Sequence, residues 1–175
     1  MLKAKDMSNV FEDDGWVADD PQGQITLAQI KADLQQRFQG YSLPVEIADD
    51  VVKCGGLFSK DDRPGMTFTH VEHRRDYLKY VVFIKQEYGR TYISFRSAGQ
   101  SKLMKKQQKK DYNQAFRSEF AQSQGGIGAH LGAATANAIS GIGSGKRKEK
   151  LENEERYYDM LIRAIGETMS AFGMA

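Results

Sequence analysis

Residues 66–97, MTFTHVEHRRDYLKYVVFIKQEYGRTYISFRS, carry the strongest secondary-structure signal in the chain. Three segments of this stretch are rich in the β-branched and aromatic residues that favour strands: Met66–Val71, Tyr77–Gln86 and Thr91–Ser97. The polar residues between them, His73–Asp76 and Glu87–Arg90, have the length of hairpin connections. The pattern predicts an antiparallel meander of three strands, or of four if Leu57–Lys60 adds another.

Alternation along these strands divides their side chains between two faces of the predicted sheet. One face is apolar, and we expect helices to cover it as the core: Leu78, Tyr80, Val82, Ile84, Ile93 and Phe95. The other face mixes aromatic rings with cations: Tyr77, Lys79, Phe83, Lys85, Tyr92 and Arg96.

Helices are predicted on both sides of the meander. Residues Thr26 to Gln29 fit a capping box, in which a Thr hydroxyl and a Gln side chain satisfy backbone groups at a helix start. Apolar residues then recur every three or four positions up to Phe38, and Gly40 ends the helix. After the meander, Ser101 is expected to cap a lysine-rich helix that runs to about residue 122.

The predicted fold class is α+β. It has an N-terminal helix, an antiparallel meander of three to four strands, a basic helix, a Gly/Ala-rich connection and a C-terminal amphipathic helix. Residues 1–24 are acidic without a helical or strand period, so we expect them to be disordered. Residues 25–122 are expected to form the α+β domain, residues 123–145 the Gly/Ala-rich segment, and residues 146–175 a helix with a long apolar stripe.

Composition restricts the class of protein without identifying a partner. The net charge is +2, and Cys54 is the only cysteine, so no intrachain disulfide can form. No secretory signal and no run of about 20 apolar residues is found, so we expect a cytoplasmic protein without a transmembrane span.

Three stretches have the residue types of a chemical site without its pattern. Residues 140–147 differ from a phosphate-binding loop, because Ser140 replaces the first Gly and Arg147 replaces the final Ser or Thr. His70 and His73 are predicted to point to opposite faces of a strand, which leaves too few ligands for zinc. Cys54 lies in a glycine turn, where a small buried residue is the commoner role. We therefore predict no cofactor and no metal, and an enzyme is not the favoured class.

The leading hypothesis is a non-catalytic binding or scaffold module that contacts a protein partner or a second copy of itself. Its helix-packing candidates are small or apolar residues at helical spacing: Gly128, Gly132, Ala136, Leu161, Ile165 and Met169. A second alternative is reversible association of the Gly-rich segment with a membrane surface.

Nucleic-acid binding is the first alternative, because aromatic rings can stack on bases while cations neutralise phosphates. Its candidates are the aromatic-basic sheet face and the lysine-rich helix: Tyr77, Lys79, Phe83, Lys85, Tyr92, Arg96, Lys102, Lys105, Lys106, Lys109 and Lys110.

Overall fold

A computed structural model describes residues 2–10, 15–55, 61–106 and 144–174. The chain divides into two units, one formed by Met1–Gln100 with Tyr157–Ala175 and the other by Ser101–Arg156. All strands of the described residues belong to the first unit.

The first unit is built on a curled, mixed sheet of seven strands. The strands are β1 (Leu2–Lys3), β2 (Met7–Asn9), β3 (Gly15–Asp19), β4 (Val45–Lys53), β5 (Asp62–His70), β6 (Lys79–Glu87) and β7 (Arg90–Ala98). Their order is β1-β4-β5-β6-β7-β2, and β3 also pairs with β7. Only the short 3-10 turn Ala4–Asp6 separates β1 from β2, although they lie at opposite ends of this order. The sheet must therefore curl until its two edges come close together.

The predicted fold class is wrong in the extent and character of the sheet. The meander exists as β5, β6 and β7, but β4 extends it and β1 pairs with β4 in parallel. The sequence pattern had left Val45–Lys53 ambiguous between helix and strand, because acidic residues interrupt its apolar alternation. Residues 57–60, considered for a further strand, lie outside the described residues.

The segment predicted to be disordered, residues 1–24, contains three strands in its described part. β2 and β3 both pair antiparallel with β7, and the ring of Trp16 lies 6.0 Å from that of Phe95. Asp20 then anchors the following loop, because its carboxylate accepts hydrogen bonds from the backbone N–H groups of Gln24 at 2.7 Å and Ile25 at 2.9 Å. Strands of two to five residues are too short to show a periodic pattern.

Helix α1 (Leu27–Gly40) begins with the predicted capping box, which is confirmed. The Gln29 N–H donates to Thr26 Oγ1 at 3.3 Å, and the Thr26 N–H donates to Gln29 Oε1 at 3.0 Å. Its apolar face is buried, and Phe38 meets Phe68 of β5 edge to face with ring centroids 5.8 Å apart. The helix is not the N-terminal element, however, since three strands precede it.

Helix α2 (Ser144–Ala171) is the last element in the described residues, and its residues from Tyr157 onward belong to the first unit. Its apolar stripe is buried there, and the Tyr158 hydroxyl accepts a hydrogen bond of 2.7 Å from the N–H of Leu78, the residue before β6. In the second unit, residues 102–106 are helical, and Ser101 Oγ accepts the Met104 N–H at 3.0 Å as a cap.

Both faces of the sheet carry buried residues. The helix-covered face contains Tyr80, Val82, Ile84, Ile93 and Phe95, all buried as predicted, while Leu78 is half-buried and precedes β6. The opposite face holds a smaller core of Val52, Val81 and Phe83, against which Leu2, Ala4 and Met7 pack. The N-terminal strands thus cover part of the face that the sequence pattern left open.

Candidate functional site

The aromatic-basic platform predicted for nucleic acid is not assembled as one surface. Phe83 is only 2% exposed, so it cannot stack on a base. Tyr77 precedes β6 and packs instead on His73, with ring centroids 4.5 Å apart. Lys85 and Tyr92 do pair directly across β6 and β7.

The remaining predicted cations lie apart from that pair. Lys79 and Lys85 occupy opposite ends of β6, about 20 Å apart at strand spacing. Arg96 lies farther along β7, opposite Val81. Lys102, Lys105 and Lys106 are exposed on the helical residues of the second unit, and Lys109 and Lys110 lie outside the described residues.

Some of the predicted helix-packing residues lie in the first unit, and the others lie outside the described residues. Leu161, Ile165 and Met169 are fully buried in the first unit, where their side chains pack in its core. Gly128, Gly132 and Ala136 lie outside the described residues.

A different surface is offered by the outer side of β4, at one edge of the sheet. β4 pairs along all nine residues with β5, but among the described residues only Leu2 and Lys3 pair with its other side. The N–H of Val45 bonds to Leu43 O and that of Val51 to Asp50 Oδ1, so neither points toward β5. Because backbone groups alternate along an antiparallel strand, the N–H and C=O groups of Ile47 and Asp49 also point outward.

A groove of about 380 Å³ runs beside this edge, between β4 and α1. Val45 and Ile47 line it from the strand, and Phe38 lines it from the helix; Gln35, Gln39, Ser42 and Leu43 complete the lining. The side chains of Val45, Ile47 and Asp49 lie on the helix-covered face, so a neighbouring strand would direct alternate side chains into the groove.

The chain matches no protein-family model, no curated protein and no solved structure.

α1 is held firmly enough to act as one wall of the groove. Thr168 Oγ1 of α2 donates to Asp33 Oδ2 at 2.6 Å, and Arg37 Nη1 lies 3.2 Å from Glu167 Oε2. Arg37 also contacts Asp33 at 2.6 Å within α1. Because these hydrogen bonds fix α1 from behind, they keep the groove in one shape.

The edge of β4 is acidic. Glu46 forms an ion pair with Arg74 at 2.6 Å, and Asp49 forms one with Lys31 at 2.7 Å. Asp50 accepts a hydrogen bond from Thr67 Oγ1 at 3.3 Å. Both residues of the Glu46–Arg74 pair are exposed, and Asp49 is exposed while Lys31 is half-buried; pairs near the surface such as these each stabilise a fold by about 0–1 kcal/mol.

The histidines near β5 are closer together than the sequence pattern predicted. β5 ends at His70, so His73 lies in the following turn, and their ring centroids are 4.7 Å apart. His70 Nδ1 accepts hydrogen bonds from the N–H groups of Glu72 and His73, both at 3.1 Å, and burial lowers the pKa of His70. A nitrogen used in this way orders the turn and is unavailable to a metal.

Cys54 lacks the surroundings of a reactive thiol. It is half-buried, its Sγ lies 3.9 Å from Val52 O, and burial raises the pKa of the thiol. A raised pKa reduces the thiolate fraction that a nucleophile needs.

The described ranges also lack a metal-binding cluster and a membrane-spanning helix. Residues 2–10, 15–55, 61–106 and 144–174 contain no group of three potential metal-binding side chains. Within those same ranges, no helix is long and apolar enough to cross a membrane.

Proposed function

We propose that the protein is a binding module whose first unit takes up an extended segment of another protein at the outer side of β4. The observation that carries the proposal is the combination of outward backbone groups on β4 with a groove beside them. An added strand would form hydrogen bonds with the outward N–H and C=O groups of Ile47 and Asp49. This mode of recognition takes its affinity from main-chain hydrogen bonds and its specificity from alternate side-chain pockets.

The chemistry of the edge indicates the kind of segment. Phe38, Val45 and Ile47 favour an apolar side chain in the groove. Glu46, Asp49 and Asp50 favour basic side chains in the partner, because opposite charges across a strand pair are stabilising. A strand that alternates apolar and basic residues satisfies both conditions.

The same acidic residues argue against a second copy of this chain as the occupant. If two copies of β4 paired antiparallel about Ala48, Glu46 of one copy would face Asp50 of the other. Like charges directly opposite one another destabilise a strand pair. The proposed partner is therefore a different, basic protein segment.

The decisive variant is Asp49→Pro, compared with Asp49→Ala. Proline removes the outward N–H and is tolerated on edge strands, whereas alanine removes only the carboxylate and its ion pair with Lys31. Asp49 is exposed and its N–H points away from β5, so neither substitution removes a hydrogen bond of the sheet and both variants should fold.

The probe is a short synthetic peptide of alternating lysine and valine, titrated while backbone amide signals are followed by NMR. We expect the signals and hydrogen exchange of Ile47 and Asp49 to change on binding. Asp49→Pro should weaken binding beyond Asp49→Ala by about 2- to 12-fold for each backbone hydrogen bond lost. A glutamate–valine peptide should bind more weakly. Equal binding to both variants would show that the edge of β4 is not the site.

A further inference from the structure

A second groove lies on the opposite face of the sheet, away from the edge of β4. It has a volume of about 400 Å³, and residues of β3, β5, β6 and β7 line it. Grooves of this size are in the range that holds small ligands. Its principal side chains are Val17, Arg63, Lys85, Glu87 and Tyr92.

Small residues leave room for this groove. Gly15 and Ser94 pair across β3 and β7 and both line it. Gly15 has a φ of +130°, and a Cβ there would lie 1.8 Å from Ile93 O. Only glycine can therefore begin β3 at this close approach, and no side chain from that position enters the groove.

One wall of the groove presents an aromatic ring between a cation and an apolar residue. Lys85, Tyr92 and Val17 are successive neighbours across β6, β7 and β3. Tyr92 is 36% exposed, so part of its ring is open to solvent. Arg90 pairs with Asp19 across β7 and β3, and its Nε donates a hydrogen bond to the Asp19 carboxylate at 3.0 Å.

The other wall carries the second cation, Arg63 of β5. Its Nε and Nη2 atoms donate to the carboxylate of Asp61, with the shortest distance 2.7 Å, and its guanidinium lies 5.9 Å from the centroid of the Phe83 ring. Those contacts fix the orientation of the guanidinium, and within the described residues they leave Nη1 for another acceptor. Lys85 forms an ion pair with Glu87 on its own strand.

We propose that this groove binds a nucleoside phosphate, whose base stacks on Tyr92 and whose phosphate contacts Lys85 and Arg63. Planar stacking on an aromatic ring combined with neighbouring cations is the usual recognition chemistry for nucleotides. The carboxylates of Asp61 and Glu87 partly offset the two cations, so affinity is modest and falls with added salt. The ligand is either a free nucleotide or one nucleotide of a single strand, which share this chemistry.

The test titrates the full chain with adenosine monophosphate, adenosine, inorganic phosphate and a short single-stranded oligothymidylate. Backbone amide signals locate binding. We expect the monophosphate to bind more tightly than adenosine or phosphate alone, with shifts centred on Lys85 and Tyr92. Tighter binding of the oligonucleotide, with the same shifts, identifies a single strand as the ligand, whereas equal or tighter binding of the monophosphate identifies the free nucleotide.

Variants distinguish binding in the groove from nonspecific electrostatic binding elsewhere on the surface. Tyr92→Ala should weaken nucleotide binding by about 5- to 150-fold, and Lys85→Gln should reduce both affinity and its salt dependence. The matched controls are Tyr88→Ala, a 91% exposed ring in the β6–β7 turn, and Lys79→Gln at the other end of β6. No binding by any probe, or equal losses in the variants and their controls, would overturn the proposal. The wild-type fold of each variant is verified from its amide spectrum, so loss of binding is not confused with loss of structure.

Discussion

Ile165→Ala measures whether the C-terminal stripe is the core of one chain or an interface between copies. Ile165 is fully buried in the first unit, beside Leu161 and Met169 of the same helix. Truncating a buried isoleucine to alanine costs about 2–5 kcal/mol, because both transfer free energy and packing are lost. Since total stabilities are about 5–15 kcal/mol, the loss is a large share of the whole.

The expected loss of unfolding free energy corresponds to a shift in melting temperature that is large enough to measure. For a chain of this size, each 1 kcal/mol lowers Tm by about 2–4 °C, so Ile165→Ala should lower it by about 4–20 °C. Asp159→Ala is the matched control on an exposed position of the same helix, and it should change stability by less than about 0.5 kcal/mol.

The assay is thermal unfolding followed by circular dichroism at two protein concentrations, with size-exclusion chromatography alongside. If the stripe is internal, the Tm of the wild type does not depend on concentration and the variant elutes as the wild type does. A concentration-dependent Tm that the variant abolishes would instead indicate an interface, since association stabilises by mass action. A loss no greater than that of Asp159→Ala would contradict the burial itself.

Two predictions concern pH. Burial lowers the pKa of His70, so on acidification the unfolded chain takes up this proton before the folded chain does. The free energy of unfolding should therefore fall as pH drops below about 6.5 toward the folded pKa. His70→Asn should flatten this region of a pH–stability profile. The Ile25 N–H, followed by other donors, lowers the pKa of Asp20, so its stabilisation is present above about pH 3.9 and is lost as pH falls through the folded pKa. Asp20→Asn should be less stable at neutral pH and should lose less stability on acidification, as chemical unfolding at several pH values would show.

The parts of the fold that could be predicted from sequence are those whose signal is local. The Thr26–Gln29 cap is local, as is the three- and four-residue spacing that buries Ile30, Leu34 and Phe38. Alternation in β6 and β7 is equally local, and it identified the face that helices cover.

What could not be predicted depends on residues far apart in sequence. Phe83 was assigned to an open face because its own strand does not show that Leu2, Ala4 and Met7 pack there. β4 was ambiguous because it carries acidic residues that a strand paired fully on both sides would exclude; among the described residues only Leu2 and Lys3 pair with its outer side. The edge site and both grooves were missed for the same reason: they exist only once distant strands pair, and the available signal was limited to Asp49 and Asp50 within an otherwise strand-like run.

The two proposed sites can be tested independently because the sheet separates them. β4 and β7 are three strand positions apart, which corresponds to roughly 14 Å between Asp49 and Tyr92 backbones before any shift along the strands. The edge site uses outward backbone groups and the helix-covered face, whereas the nucleotide groove uses side chains of the opposite face. Substitutions more than about 7–10 Å apart without shared partners have additive effects. Asp49→Pro should therefore leave nucleotide affinity unchanged, and Tyr92→Ala should leave peptide affinity unchanged; a crossed effect would mean that one variant alters the sheet as a whole.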